Sequence, residues 1–307
     1  HAQLAPLAAS VARLRATSAS ARSVLPPVEA VDRREGLPLS YAQQRLWFLS
    51  QLDEQASRAY HISGGVRLRA DLDRDALKRA LDEIVARHEV LRTRFESCDG
   101  EAAQVIEPGC GFVLREEDLG GLAETEAEAA LRCIAEQESA ERFDLQHGPL
   151  IRGRLLRVSA EDHALLITMH HIVADGWSLS VLLKERSTLY GAYRQGLSGA
   201  VLEPLPVQYA DYASWQRQWM SGERLQLQLQ YWREQLQGWP QRLELPTDHP
   251  RPGMQSYAGA HLAVQLEAGL TQQLKRLSRA YGTTLYMTLL ASWAIVLAKL
   301  SGERRVA

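Results

Sequence analysis

Apolar positions in this chain recur with two periods. Leu77, Ala80, Leu81, Ile84 and His88 return every three to four residues and predict an amphipathic helix entered near Asp73. Ser40 followed by Gln43 has the form of a capping box, so a helix is predicted from Tyr41, carrying Leu46, Trp47, Phe48 and Leu49. Ile62, Gly64, Val66 and Leu68 alternate as in a half-buried strand. Two short strands are expected over 93–96 and 103–106, with the Asp99-Gly100 turn between them. A charged helix follows over 124–142, then strands over 150–158 and 163–170 flanking a turn at Asp162, then a helix over 179–196. Beyond Pro204 the chain turns aromatic (Tyr209, Tyr212, Trp215, Trp219, Tyr231, Trp232), a stretch assigned no element. Residues 245–252 form an extended bridge, because each proline removes a donor and disfavours helix in the residue before it. A strand with Ala260, Leu262, Val264 and Leu266 facing alternately, and helices over 271–281 and 284–300, complete the pattern.

Strands and helices alternate, which points to an α/β or α+β class with mixed sheets. Leu4, Leu7, Ala8 and Val11 fall on one helical stripe in residues 1–15, too short to fold alone. Residues 16–36 are rich in Ala, Ser, Arg, Pro and Glu, with Pro26-Pro27 at the centre, and read as a linker that buries too little to order itself. Residues 37–250 contain most of the elements. Residues 251–307 offer one strand and two helices, too little for a closed core, so the expectation is a second lobe cut short.

The totals narrow the function. The chain has 307 residues, 46% of them hydrophobic, which suggests two domains or one large two-lobed unit. Lys plus Arg number 35 and Asp plus Glu 37, a formal net charge of -2, which provides no field for nucleic acid or anionic membranes. No apolar stretch reaches spanning length, and the N-terminus lacks the order of a signal peptide. Cys98, Cys110 and Cys133 are odd in number and unpaired by motif, as expected of free thiols in a reducing cytoplasm.

The densest chemistry lies at residues 169–178, Met-His-His-Ile-Val-Ala-Asp-Gly-Trp-Ser. The apolar run 164–168 before it has strand length and composition, and so delivers an imidazole to the end of a buried strand. Successive strand residues face opposite ways, so only one of His170 and His171 can face an open site. Asp175 stands four residues after His171, a spacing that on a helix would suit a metal pair. The β-branched Ile172 and Val173, then Gly176, argue for a loop instead, and no further ligands sit at metal spacing, so no metal site is expected.

This decapeptide resembles the HHxxxDG signature of the condensation domains of nonribosomal peptide synthetases. Residues 40–49 resemble that family's first motif, 87–95 its second and 209–216 its fourth, in the family's order. Phe143-Asp144-Leu145 with residues 148–152 is a further familiar run. The likeness extends over residues 37–307, and residues 1–15 resemble the last helix of a carrier-protein domain. It implies a chloramphenicol acetyltransferase-like, two-lobed fold whose first lobe and bridge cover 37–250 and whose second lobe begins at 251. It implies an enzyme that joins a donor aminoacyl or peptidyl thioester to an acceptor amine. Both substrates ride on the phosphopantetheine arms of upstream and downstream carrier-protein domains, beside an adenylation domain in one cytoplasmic megaenzyme. No cofactor of its own is implied. His171 carries the working role, as general base or as a group that positions the amine, and His170 packs as a structural histidine.

By the same resemblance Asp175 is structural, pairing with a buried arginine, Arg87 in preference to Arg92. Losing one partner of such a pair would cost roughly 3–5 kcal/mol. Gly176 is expected to take a backbone shape that a side chain would hinder and to let the acceptor arm approach. Trp177 is expected in the core and Ser178 as the N-cap of the next helix. Arg45, Trp47, Tyr209, Asp211 and Trp215 are expected to hold the lobe together. The residue order Gly176-Trp177-Ser178 disfavours the epimerisation branch. The lone His61 between Gln51 and Gly65 disfavours the dual epimerising and condensing branch, leaving condensation of two L-configured partners. The alternative of a different class is a non-catalytic module that only docks carriers.

Overall fold

The computed structural model describes residues 25–306, apart from 35, 53–56, 99, 110, 199–200, 240–241, 255–256, 258 and 260–261. The carrier-like stripe of residues 1–15 lies outside the described residues, as do Asp99 of the expected turn and Cys110.

Two sheets organise the chain. A small antiparallel sheet runs in the order β1-β4-β3, from β1 (Leu37–Pro38), β3 (Thr93–Cys98) and β4 (Glu101–Ile106). The larger sheet runs β2-β7-β6-β5, from β2 (His61–Arg69), β5 (Val113–Asp118), β6 (Ile151–Ser159) and β7 (Asp162–His170). The first three of its strands are antiparallel and β5 lies parallel to β6. β5 has no apolar alternation, and the sequence did not foretell it. It is an edge strand held by charge: Arg154 of β6 donates to Glu117 at 2.7 Å and Arg157 to Asp118 at 2.8 Å.

β7 is central and covered on both faces, which explains its unbroken apolar run. Leu165, Ile167 and Met169 join the main core with Leu77, Leu81 and Ile84 of α2 (Arg74–Arg87) and Leu182 and Leu189 of α4 (Gly176–Arg194). Ala164 and Leu166 face the other way, against Ala127, Leu131 and Ile134 of α3 (Glu124–Ala140). The helix periodicity over 77–88 is thus the buried stripe of α2, and Asp73 caps that helix by accepting the Ala76 N–H at 2.9 Å.

α1 (Tyr41–Leu52) begins where the Ser40/Gln43 box places it. The Ser40 N–H donates to Gln43 Oε1 at 3.0 Å, and the Gln43 N–H to Ser40 Oγ at 3.2 Å. The aromatic stretch forms two helices, α5 (Tyr209–Trp219) and α6 (Gly222–Leu236), with Trp215 and Trp219 stacked at 5.4 Å. Residues 25–34, inside the stretch read as linker, lie on α5. Asp211, 1% exposed, accepts both terminal nitrogens of Arg33 at 2.6 and 3.0 Å and the Val31 N–H at 2.9 Å; Trp215 donates to the Pro26 carbonyl.

The strand expected near Leu262 is absent among the described residues. Residues 262–267 are unpaired, and Leu262 and Val264 are 89% and 78% exposed. Alternation without a neighbour to bond cannot make a strand. Helices α7 (Ala268–Ala280) and α8 (Leu285–Ser301) follow, α8 capped by Thr284. Among the described residues no single helix is long and apolar enough to cross a membrane; α7 and α8 pass only as a pair bent by 104°.

Candidate active site

β7 ends at His170, and the chain turns sharply over residues 171–173 before α4 begins. The strand end separates the two imidazoles. His170 is fully buried, whereas His171 is exposed.

The His170 ring is held on both nitrogens. Its Nδ1 accepts the Ile172 N–H at 3.1 Å, which places the proton on Nε2, 3.3 Å from Ser57 Oγ. Burial, reinforced by the nearby His61 and His171, pushes its pKa down to about 3. His170 is therefore a neutral structural ring. The β2–β7 register sets His61 opposite it, with ring centroids 6.0 Å apart, and Phe143 closes the cluster 5.0 Å from His61. His61 donates from Nδ1 to the Ser139 carbonyl at 2.9 Å, and burial lowers its pKa as well. The isolated spacing of His61 gave no sign of this partnership, since register between distant strands is not written in local pattern.

His171 is fixed through its backbone. Its N–H donates to the Tyr60 carbonyl at 2.7 Å, and the Val173 N–H closes the turn on the His170 carbonyl at 3.0 Å. The imidazole is left exposed where β7 ends.

Asp175 differs from its expected role. It is exposed and pairs with neither Arg87 nor Arg92. It is the N-cap of α4: Oδ1 accepts the Ser178 N–H at 2.8 Å and the Ser178 hydroxyl at 2.6 Å, while the Asp175 N–H donates to Ser178 Oγ at 3.2 Å. The Ser178 hydroxyl, followed by its N–H, holds the carboxyl below the usual range. Ser178 accordingly sits at the third helical position rather than at the cap. Arg87 instead meets Glu185 of α4 at 3.2 Å, beside the His88 Nε2 contact to the same carboxylate at 2.6 Å. Arg92 donates to the Glu107 carbonyl at 2.6 Å. Both arginines brace the elements around α2 and not the aspartate.

Gly176 opens α4 with no left-handed φ, and a Cβ there would meet nothing within 4 Å, so no steric demand of the described chain explains it. Trp177 is 79% exposed, not in the core. Tyr209, Asp211 and Trp215 do tie the lobe together, and Trp47 packs on the core; Arg45 is exposed. Among the described residues no three His, Cys, Asp or Glu side chains converge as a metal site. A cavity of about 550 Å³ lies elsewhere, lined by Arg94, Glu96, Ser97, Gln146 and His147.

The model of the Condensation domain family matches residues 33–307. This chain belongs to the condensation-domain family. The condensation domain is 43% identical over 297 residues to Malpinin synthetase of Mortierella alpina and 45% identical over 287 residues to a linear gramicidin synthase of Brevibacillus parabrevis. These alignments take in 97% and 94% of this chain but only 4% and 6% of the relatives. Among solved structures, the X-domain from teicoplanin biosynthesis is 32% identical with a TM-score of 0.77, over 90% of this chain and 60% of that one. The first condensation domain of the calcium-dependent antibiotic synthetase, at 22% identity, shares the fold with a TM-score of 0.72, over 89% of this chain and 63% of that one. The condensation domain thus has the chloramphenicol acetyltransferase-like fold, and nonribosomal peptide synthetases are among its relatives.

Proposed function

We propose that this condensation domain forms an amide bond between a donor aminoacyl or peptidyl thioester and an acceptor amine, each tethered to the phosphopantetheine arm of a carrier-protein domain. The amine nitrogen attacks the thioester carbonyl. The C–N bond forms, the C–S bond breaks, and the departing sulfur takes the proton that the nitrogen loses. His171 is the residue assigned to the amine, which it orients and relieves of that proton. A positioned general base of this kind is worth about 10²–10⁴-fold. Asp175 caps α4 and Gly176 leaves the approach to the turn free of a side chain. Donor and acceptor are taken to be L-configured, and the neighbours to be carrier and adenylation domains of one cytoplasmic synthetase.

The supporting observation is the contrast between the two imidazoles: one sealed and neutral by burial, the next exposed at a strand end with its backbone fixed. The test is product formation between two aminoacyl-loaded carriers, followed by mass spectrometry, with the sequence extended to the full length of the domains it matches. Native protein is expected to yield the dipeptidyl thioester and His171→Ala to lose at least a hundredfold in rate. A His171→Ala protein as fast as native overturns the assignment.

One observation favours a second reading. The X-domain from teicoplanin biosynthesis has been solved in complex with OxyB and is 32% identical to this chain. A fold of this kind can therefore act as a docking surface. On that reading the carriers bind, but no product appears with either protein.

A further inference from the structure

Gln43 lies in the first turn of α1, 1% exposed, and far in sequence from the histidine turn. Its carboxamide has one acceptor and two N–H donors, and all three are used. Oε1 accepts the Ser40 N–H at 3.0 Å; Nε2 donates to Gln104 Oε1 at 3.2 Å and to the Ile172 carbonyl at 3.4 Å. Gln104, 4% exposed on β4, spends its own Nε2 on the Pro38 carbonyl at 2.7 Å, so its oxygen must face Gln43. The two amides are thereby oriented in series, and the second N–H of Gln43 is left pointing at Ile172.

Ile172 directly follows His171. Its N–H is held by His170 Nδ1, its carbonyl by Gln43, and the N–H of His171 by the Tyr60 carbonyl. Three successive peptide planes around His171 are each hydrogen-bonded, two of them to residues outside the turn, Tyr60 and Gln43. That leaves the imidazole only its two side-chain torsions.

We propose that Gln43 is a positioning residue that fixes the backbone of the turn presenting His171; the catalytic part of this inference rests on the reading of His171 given above. Without the Gln43 amide the Ile172 carbonyl, on a residue 3% exposed, is buried with no partner, and the turn must open to satisfy it. Displacing a reacting group by about 1 Å can cost on the order of a hundredfold in rate.

The test compares backbone amide exchange and transfer kinetics in the native chain and Gln43→Met, a side chain of similar length that neither donates nor accepts as an amide does. The Val173 amide, which closes the turn, is expected to exchange at least ten times faster, while Leu165 and Ile167 in β7 keep their native rates. In the transfer assay kcat falls at least tenfold with KM for each carrier within twofold of native. Unchanged exchange at Val173, or an equal rise throughout β7, overturns the inference. Should Gln43→Met fail to fold, the Gln43 carboxamide protons of the native chain decide. Exchange slowed at least a hundredfold relative to a free amide supports the clamp, and exchange at the free rate refutes it. A His171→Ala protein of native activity would sink the reading of the site yet leave the exchange result standing.

Discussion

Two histidines adjacent in sequence receive opposite environments because one closes a buried strand and the other begins the turn. His170 binds a proton in the unfolded chain near pH 6.5, but in the fold only at about 3. Between those values the unfolded state holds more protons, so stability is complete above about pH 6.5 and declines as pH falls, by at most about 1.4 kcal/mol per unit. Denaturant titrations at pH 7 and pH 5 should show the midpoint dropping in the native chain and dropping less in His170→Gln. Asp175 belongs to the same scale. As an exposed N-cap, its replacement by Ala should cost about 1 kcal/mol, and Asp175→Asn should recover most of that. Thermal melts of the two variants check this; a loss of 3 kcal/mol or more would require the buried ion pair that the structure does not contain.

Elements with a strong period were legible in the sequence. α2 has its Leu77, Ala80, Leu81 and Ile84 stripe because that face packs on the sheet, and β7 is continuously apolar because both its faces are covered. β5 was not legible, since an edge strand held by arginine pairs has no alternation to read. Residues 262–266 alternate but find no neighbour, and remain unpaired. The docking of α3 on β6 depends on ions no local pattern discloses. Glu138 is 1% exposed, and takes Arg152 Nε and Arg154 Nε at 2.6 Å each, with the Arg152 guanidinium 3.9 Å from the Phe143 ring centre. Glu138→Ala leaves Arg152 buried and unpaired, so the expected loss is about 3–5 kcal/mol by urea denaturation. A Glu138→Ala protein as stable as native would remove this joint from the account.

Across the whole molecule, the family motifs are threaded together by polar joints between residues remote in sequence. Gln208 of the fourth-motif region receives the Glu89 N–H at 3.1 Å and donates to the Arg87 carbonyl at 2.9 Å. Asp211, three residues on, holds the segment that precedes the first strand. Burial works to raise the Asp211 carboxyl, and the Arg33 guanidinium with two backbone N–H donors overrides it and holds it low. Composition alone marks residues 25–34 as linker because they bury little apolar area; their order comes from the ion pairs of Arg33 with Asp211 and Glu89 and a few backbone bonds. Arg33→Met leaves Asp211 buried without its charge partner. A loss of about 3 kcal/mol is expected, the low end for such pairs because Arg33 is partly exposed. Chemical denaturation of Arg33→Met against native measures it, and an unchanged midpoint would show that the strap contributes nothing.

The proposed function rests on the placement of His171 at the exposed end of β7, and a single-turnover measurement tests it most directly. With donor- and acceptor-loaded carriers saturating, the amide-forming rate of His171→Ala should fall by about 10²–10⁴-fold while the carriers bind as tightly as to native protein. An unchanged rate in a folded His171→Ala protein would contradict the assignment of that imidazole.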